Sequence, residues 1–222
     1  MMALFIVLWI MSQGNEVREK VAEYFKNPIG IAVGKGNLVV EGKTALVKEP
    51  LMTEDKRIQE EIEKEKLKKM EEKIIEKMQE SPEFKEVAQF VQMQMTDEGL
   101  RIELMESAND VFFEIGTSKL NNKATQLLRM IGEQLAKLDN KIVIEGHTDA
   151  RPYQNGVTGY TNYELSTDRA NSARRALSVG GLLEKQINEI RGYADKKLKN
   201  PADPYDLVNR RISILVKNSG AK

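Results

Sequence analysis

The sequence predicts an α+β fold for its C-terminal part: a mixed β-sheet with two helices on one face. Three observations predict it. Val91, Met93 and Met95, then Leu100, Ile102 and Leu104, alternate with polar residues around Asp97-Glu98-Gly99, the pattern of a hairpin. The stretches containing Ala124, Leu127, Leu128, Ile131 and Leu135, and then Leu165, Arg169, Ala173 and Leu177, repeat at three and four residues, the helical period. Short apolar runs at 111–115, 141–144, 187–191 and 212–216 lie around those helices. The resulting order β-α-β-α-β-β, with helices as crossovers, gives a mixed sheet.

Composition bounds the rest. The chain has 222 residues, 41% apolar and 31% charged, enough for one good core plus extended material. Net charge is zero, which implies no bulk attraction to nucleic acid or to an anionic surface. There is no cysteine, which excludes disulfides and thiolate metal sites.

Residues 1–12 are uncharged and, as far as Met11, apolar, with Trp9 near the end. Eleven helical residues cover about 17 Å of a hydrocarbon layer roughly 30 Å thick, so this reads as a partial transmembrane helix, the tail of a span. A signal peptide needs Lys or Arg ahead of the apolar run and small residues behind it, and neither is here. Residues 13–27 place Val17, Val21, Tyr24 and Phe25 on one side, an amphipathic helix that Asn27-Pro28 ends. Residues 28–53 are read as a flexible linker, because six Gly or Pro residues fall between Pro28 and Pro50.

Residues 54–80 change character: 18 of 27 are charged, ten acidic and eight basic, without Gly or Pro. Pairs such as Glu60 with Lys64 and Glu65 with Lys69 have helical spacing. The apolar seam of Ile58, Ile62, Leu67, Met70, Ile74 and Met78 is thin, which suits a solvated spacer or a partner helix, with a dimer contact preferred. From 81 to 218 runs the folded domain. Ser81 caps its first helix, with Pro82 in the first turn. Asn121 or Asn122 caps the next, and Thr161 with Glu164 has capping-box spacing for the last.

Three short runs carry the chemistry: Ile144-Glu145-Gly146-His147-Thr148-Asp149, Leu165-Ser166-Thr167-Asp168-Arg169-Ala170 and Asn209-Arg210-Arg211-Ile212-Ser213-Ile214. Asp149 falls where a buried strand gives out, at the carboxyl edge of a sheet, where α/β layers bind ligands. Arg169 lies near the start of the following helix. A carboxylate and a guanidinium that are close but not spent on each other can grip a zwitterion, taking its ammonium and its carboxylate. An ordinary Asp–Arg pair fixing helix to strand fits the same spacing. Tyr153, Tyr160 and Tyr163 surround the intervening loop and either rim a groove or cover a core edge.

His147 is the only histidine; with Glu145 and Asp149 it makes no metal set, and it reads as a turn residue. His147, Asp149 and Glu164 could be drawn as acid and base. No Ser or Cys nucleophile in a recognisable elbow and no phosphate loop accompanies them, so the expectation is a non-enzyme.

The runs GHTD, LSTDRA and NRRISI resemble the signature of the OmpA-like peptidoglycan-binding domain, over about the last half of the chain. That family binds the diaminopimelate-bearing stem peptide of the cell wall without cleaving it. Carried over by motif, the resemblance implies ligand-binding roles for Asp149, Arg169, Thr148, Asn209 and Arg210, and no cofactor. With the apolar run at the N-terminus, the chain is further similar to the MotB family of flagellar-motor stator subunits. This implies a homodimer held in the inner membrane by one span, with a periplasmic C-terminal domain and a MotA-like channel subunit as partner. Residues 13–27 then match that family's plug segment. The family's ion-carrying transmembrane aspartate lies just upstream of the segment matching Met1. No Asp or Glu precedes Glu16, so this polypeptide alone is expected not to conduct. The alternative role is an OmpA-like tether for another membrane complex.

Overall fold

The computed structural model describes residues 54–108, 111–114, 116–153 and 159–219. The partial span, the plug-like helix and the linker expected at 1–12, 13–27 and 28–53 lie outside the described residues. Among the described residues no helix is long and apolar enough to cross a membrane.

Helix α1 (Glu54–Glu80) leads into α2 (Pro82–Ala88), then β1 (Val91–Thr96) and β2 (Gly99–Met105) form the expected hairpin. Helix α3 (Asn122–Leu135), strand β3 (Ile142–His147), helix α4 (Asn162–Val179), β4 (Ile187–Gly192) and β5 (Arg211–Lys217) follow, with 3-10 turns at Glu184–Gln186 and Leu207–Asn209. The sheet order is β1-β2-β5-β3-β4, antiparallel except for the β3–β4 pair. The β3–α4–β4 crossover is why that pair is parallel. Placing β5 between β2 and β3 puts the start of the last strand beside the end of β3, with Arg211 opposite His147.

The caps follow the sequence in two places of three. Asn121 Oδ1 accepts from Ala124 N at 2.8 Å, and Thr161 with Glu164 forms a complete capping box. Ser81 sits at the cap position of α2, but its side chain makes no capping bond there; Pro82 supplies the start.

Three elements depart from expectation. Among the described residues of the apolar piece expected at 111–115, an isolated bridge from Phe113 to Leu120 replaces a strand, and Glu106 captures the backbone N–H groups of Phe112 and Phe113. Strand β3 runs on through Gly146 and His147, so His147 ends the strand instead of lying in the turn. And α1 is no bare spacer: Leu67, Met70, Ile74 and Met78 are buried in the core, against α2, α3 and β2. Only its early turns, with Ile58 and Ile62, leave the seam exposed.

The helices thus share the face lined by Leu100, Ile102, Leu104, Ile142, Ile144, Ile212, Ile214 and Val216. The other face carries ion pairs. Glu145 accepts from Arg101 at 2.6 Å and Arg191 at 3.1 Å, and Glu103 joins Arg211 at 3.0 Å and Lys199. Burial alone raises the Glu103 carboxyl, but Lys199 and Arg211 hold it below its ordinary value.

Candidate functional site

Close backbone contact sets the site. A Cβ on Gly146 would lie 1.9 Å from Ser166 O, and one on Gly192 would lie 2.0 Å from Thr167 Oγ1. Only glycine lets α4 press this closely on β3 and β4. Ser166 Oγ adds a pin by accepting from Ala194 N at 3.0 Å, and Ala194 O accepts from Thr148 N at 2.9 Å. Arg169, one turn beyond Ser166, is thereby brought to the end of β3 where Asp149 emerges.

A pocket of about 340 Å³ opens there, lined by Thr148, Asp149, Arg151, Tyr153, Asn162, Leu165, Arg169 and Arg210, with Gly116 and Pro152. Asp149 and Arg169 face it without pairing to each other. Asp149 Oδ2 accepts from Arg210 Nε at 2.8 Å and from Arg151 Nη1 at 3.1 Å, while Oδ1 accepts from Arg151 N at 3.1 Å. Arg169 gives Nε to Thr117 O at 3.0 Å and lies 4.7 Å over the Phe113 ring. Burial pulls its pKa below the ordinary value, Glu106 and Asp149 opposing and Arg210 adding to the fall. Among the described residues its Nη fork, the part suited to a carboxylate, donates to no protein acceptor. Thr148 Oγ1 is buried without a partner among the described residues. A buried free hydroxyl at a pocket wall calls for a ligand atom or water.

Four of the five residues singled out in the sequence therefore meet: Thr148, Asp149, Arg169 and Arg210. Asn209 does not. It is fully buried, and its side chain clamps the 200–209 loop by accepting from Asn200 N at 2.8 Å and donating to Asp203 O at 3.0 Å. Its position beside Arg210 in the motif gives no warning, because adjacent residues leave a 3-10 turn in different directions. Sequence reasoning missed Arg151 and Asn162. Asn162 Nδ2 donates to Arg151 O at 2.9 Å, tying the loop to the first turn of α4.

Tyr153 rims the pocket, its hydroxyl donating to Gly116 O at 3.1 Å. Tyr160 supports it at 5.0 Å between ring centroids, with its hydroxyl donating to Asp168 at 2.7 Å. Burial, then that bond, raises the Tyr160 pKa. Tyr163 points to solvent and lines nothing here. The acid–base trio drawn from the sequence does not converge: Glu164 is spent on the Thr161 cap, and His147 stacks on Tyr193 at 5.2 Å, on the ion-paired sheet face. A wider cleft of about 760 Å³ at the opposite end of the sheet, near Lys141, Asn188 and Lys217, gathers no residue of the three motifs.

Known proteins share this arrangement of elements. The OmpA family model matches residues 112–211. Motility protein B of Escherichia coli (strain K12) is 32% identical over 237 aligned residues, covering 100% of this chain and 76% of the relative. A putative MotB-like protein from Desulfovibrio vulgaris superposes with a TM-score of 0.60 at 17% identity, over 73% of this chain and 100% of that one. The periplasmic domain of Helicobacter pylori MotB gives a TM-score of 0.51 at 21% identity, over 58% of this chain and 89% of that one. At such identities the two structures speak to fold alone.

Proposed function

Because the chain belongs to the motility protein B family and carries an OmpA family domain, we propose that it is the cell-wall anchor of a flagellar motor stator. In this reading the C-terminal domain lies in the periplasm and grips peptidoglycan, without cleaving it. The N-terminal segment is held in the inner membrane beside a MotA-like channel subunit, and the chain works as a homodimer.

One observation carries the reading: Asp149 and Arg169 line a single pocket, unpaired with each other, beside the free hydroxyl of Thr148. A diaminopimelate residue of the stem peptide presents an ammonium and a carboxylate on one carbon. The Asp149 carboxylate takes the ammonium, the Nη fork of Arg169 takes the carboxylate in two parallel bonds, and Thr148 Oγ1 completes the contact. Arg210 Nε, 2.8 Å from Oδ2, orients the Asp149 carboxylate.

The test is co-sedimentation with purified sacculi. Asp149→Asn and Arg169→Ala should lose binding while keeping the circular dichroism of the parent, since breaking one partner of a desolvated charged contact costs about 2 to 5 kcal/mol. Equal recovery of parent and both variants in the pellet would sink the proposal.

A further inference from the structure

Arg151 is the cation in the pocket that the motifs do not explain. Among the described residues lining it, Asp149 is the only acidic one, against three arginines at 151, 169 and 210. Two of these sit on the same oxygen, Oδ2: Arg210 through Nε at 2.8 Å and Arg151 through Nη1 at 3.1 Å. Arg210 is fixed from within, its side chain 25% exposed and its carbonyl bonded by Glu106 N, whereas the Arg151 side chain is 50% exposed. Arg151 lies across the mouth, with Nη2 on Tyr205 O at 3.0 Å and Cζ 5.9 Å from the Tyr205 ring. An incoming ammonium must bond the Asp149 carboxylate, and Arg151 already donates to both of its oxygens, to Oδ1 through its backbone N–H and to Oδ2 through Nη1.

We propose that Arg151 is a built-in occupant of the ammonium position, a positioning and selectivity residue that must swing away before a zwitterionic ligand binds. This rests on the zwitterion reading of the pocket. The geometry suits such a part. A half-exposed ion pair is weak, so it yields to a better-fitting cation. While seated, it keeps the Asp149 carboxylate neutralised. It also makes the empty site select for ligands that bring a cation, because an anion alone does not displace a guanidinium. The apparent affinity is lowered by the fraction of time the occupant is seated.

The experiment titrates the full chain, in detergent micelles, with meso-diaminopimelate and with its N,N′-diacetyl form, by calorimetry. Arg151→Gln should bind diaminopimelate about two- to fivefold more tightly than the parent, the range expected on releasing an exposed ion pair. Arg151→Lys, which restores a cation, should stay within about twofold of the parent. The acetylated probe separates this role from general electrostatics: with no ammonium to place, it should bind Arg151→Gln no better than the parent, since a positive charge has been lost. If Arg151→Gln binds diaminopimelate no more tightly than the parent while Asp149→Asn abolishes binding, the role of Arg151 is overturned and the zwitterion reading stands. If the parent and both Arg151 variants ignore diaminopimelate, both fall together.

Discussion

His147 shows what burial does to a titratable side chain whose polar atoms find nothing to bond. It is 1% exposed, and neither ring nitrogen has a partner among the described residues. Glu103 favours the charged ring, but burial, first, and then Arg211 push the pKa down from 6.5 to about 3. The folded state therefore binds fewer protons than the unfolded chain between those values. The stability that neutral His147 contributes is complete above pH 6.5 and falls as the pH drops towards about 3, by up to roughly 1.4 kcal/mol per pH unit. His147→Phe keeps the stack on Tyr193 and removes the titration. Urea unfolding at pH 7, 5.5 and 4 should show the variant losing less stability than the parent; parallel losses would place the acid sensitivity elsewhere. None of this was legible in the motif, since a histidine written between Gly146 and Thr148 reads as a turn residue until the strand is seen to continue through it.

At the scale of elements, two contacts decide the architecture. Helix α4 meets β3 at Gly146 with no room for a methyl, and Gly146→Ala should cost about 1 to 3 kcal/mol or more, as overpacking does. It should also weaken sacculus binding, because the same contact brings Arg169 to Asp149. A thermal melt together with co-sedimentation checks both; an unchanged melting point would contradict the contact. Helix α1 is the second case. Leu67 and Ile74 are fully buried, whereas Ile62 is 61% exposed. Leu67→Ala or Ile74→Ala should cost about 2 to 5 kcal/mol, and Ile62→Ser within about 0.5 kcal/mol. Chemical denaturation of the three variants distinguishes a helix built into the domain from a free spacer. The seam read the same way along its whole length in the sequence. Which half finds a core depends on where α1 lies against α2, α3 and β2, and periodicity carries no information about that.

The described part of the molecule, from α1 to β5, belongs to a compact unit spanning residues 51–222. Its sheet has two unlike faces, one covered by helices and one laced by Arg101, Arg191, Arg211 and Lys199 around Glu145 and Glu103. A chain shortened to begin at Ser81 should uncover the apolar surface that Leu67, Met70, Ile74 and Met78 close. It should melt well below one beginning at Leu51 and bind a hydrophobic dye; equal melting points would show α1 to be dispensable. The element order and the residues of the pocket motifs were readable directly, because strand alternation, helical spacing and caps depend on neighbours within a few positions. The hairpin, α3, α4 and β5 follow from such neighbours, and so do Asp149 and Arg169, whereas Thr148 and Arg210 were marked out only by the resemblance of their motifs to the OmpA-like domain. The tertiary structure alone decided the rest. Arg210 reaches Asp149 across 61 positions of chain, and Asn209 beside it turns inward. Arg151 meets Asp149 two positions away, but its other terminal nitrogen is held by Tyr205 O, 54 positions along the chain. Those outcomes hang on which strands lie side by side, a matter of long-range packing that no local pattern encodes.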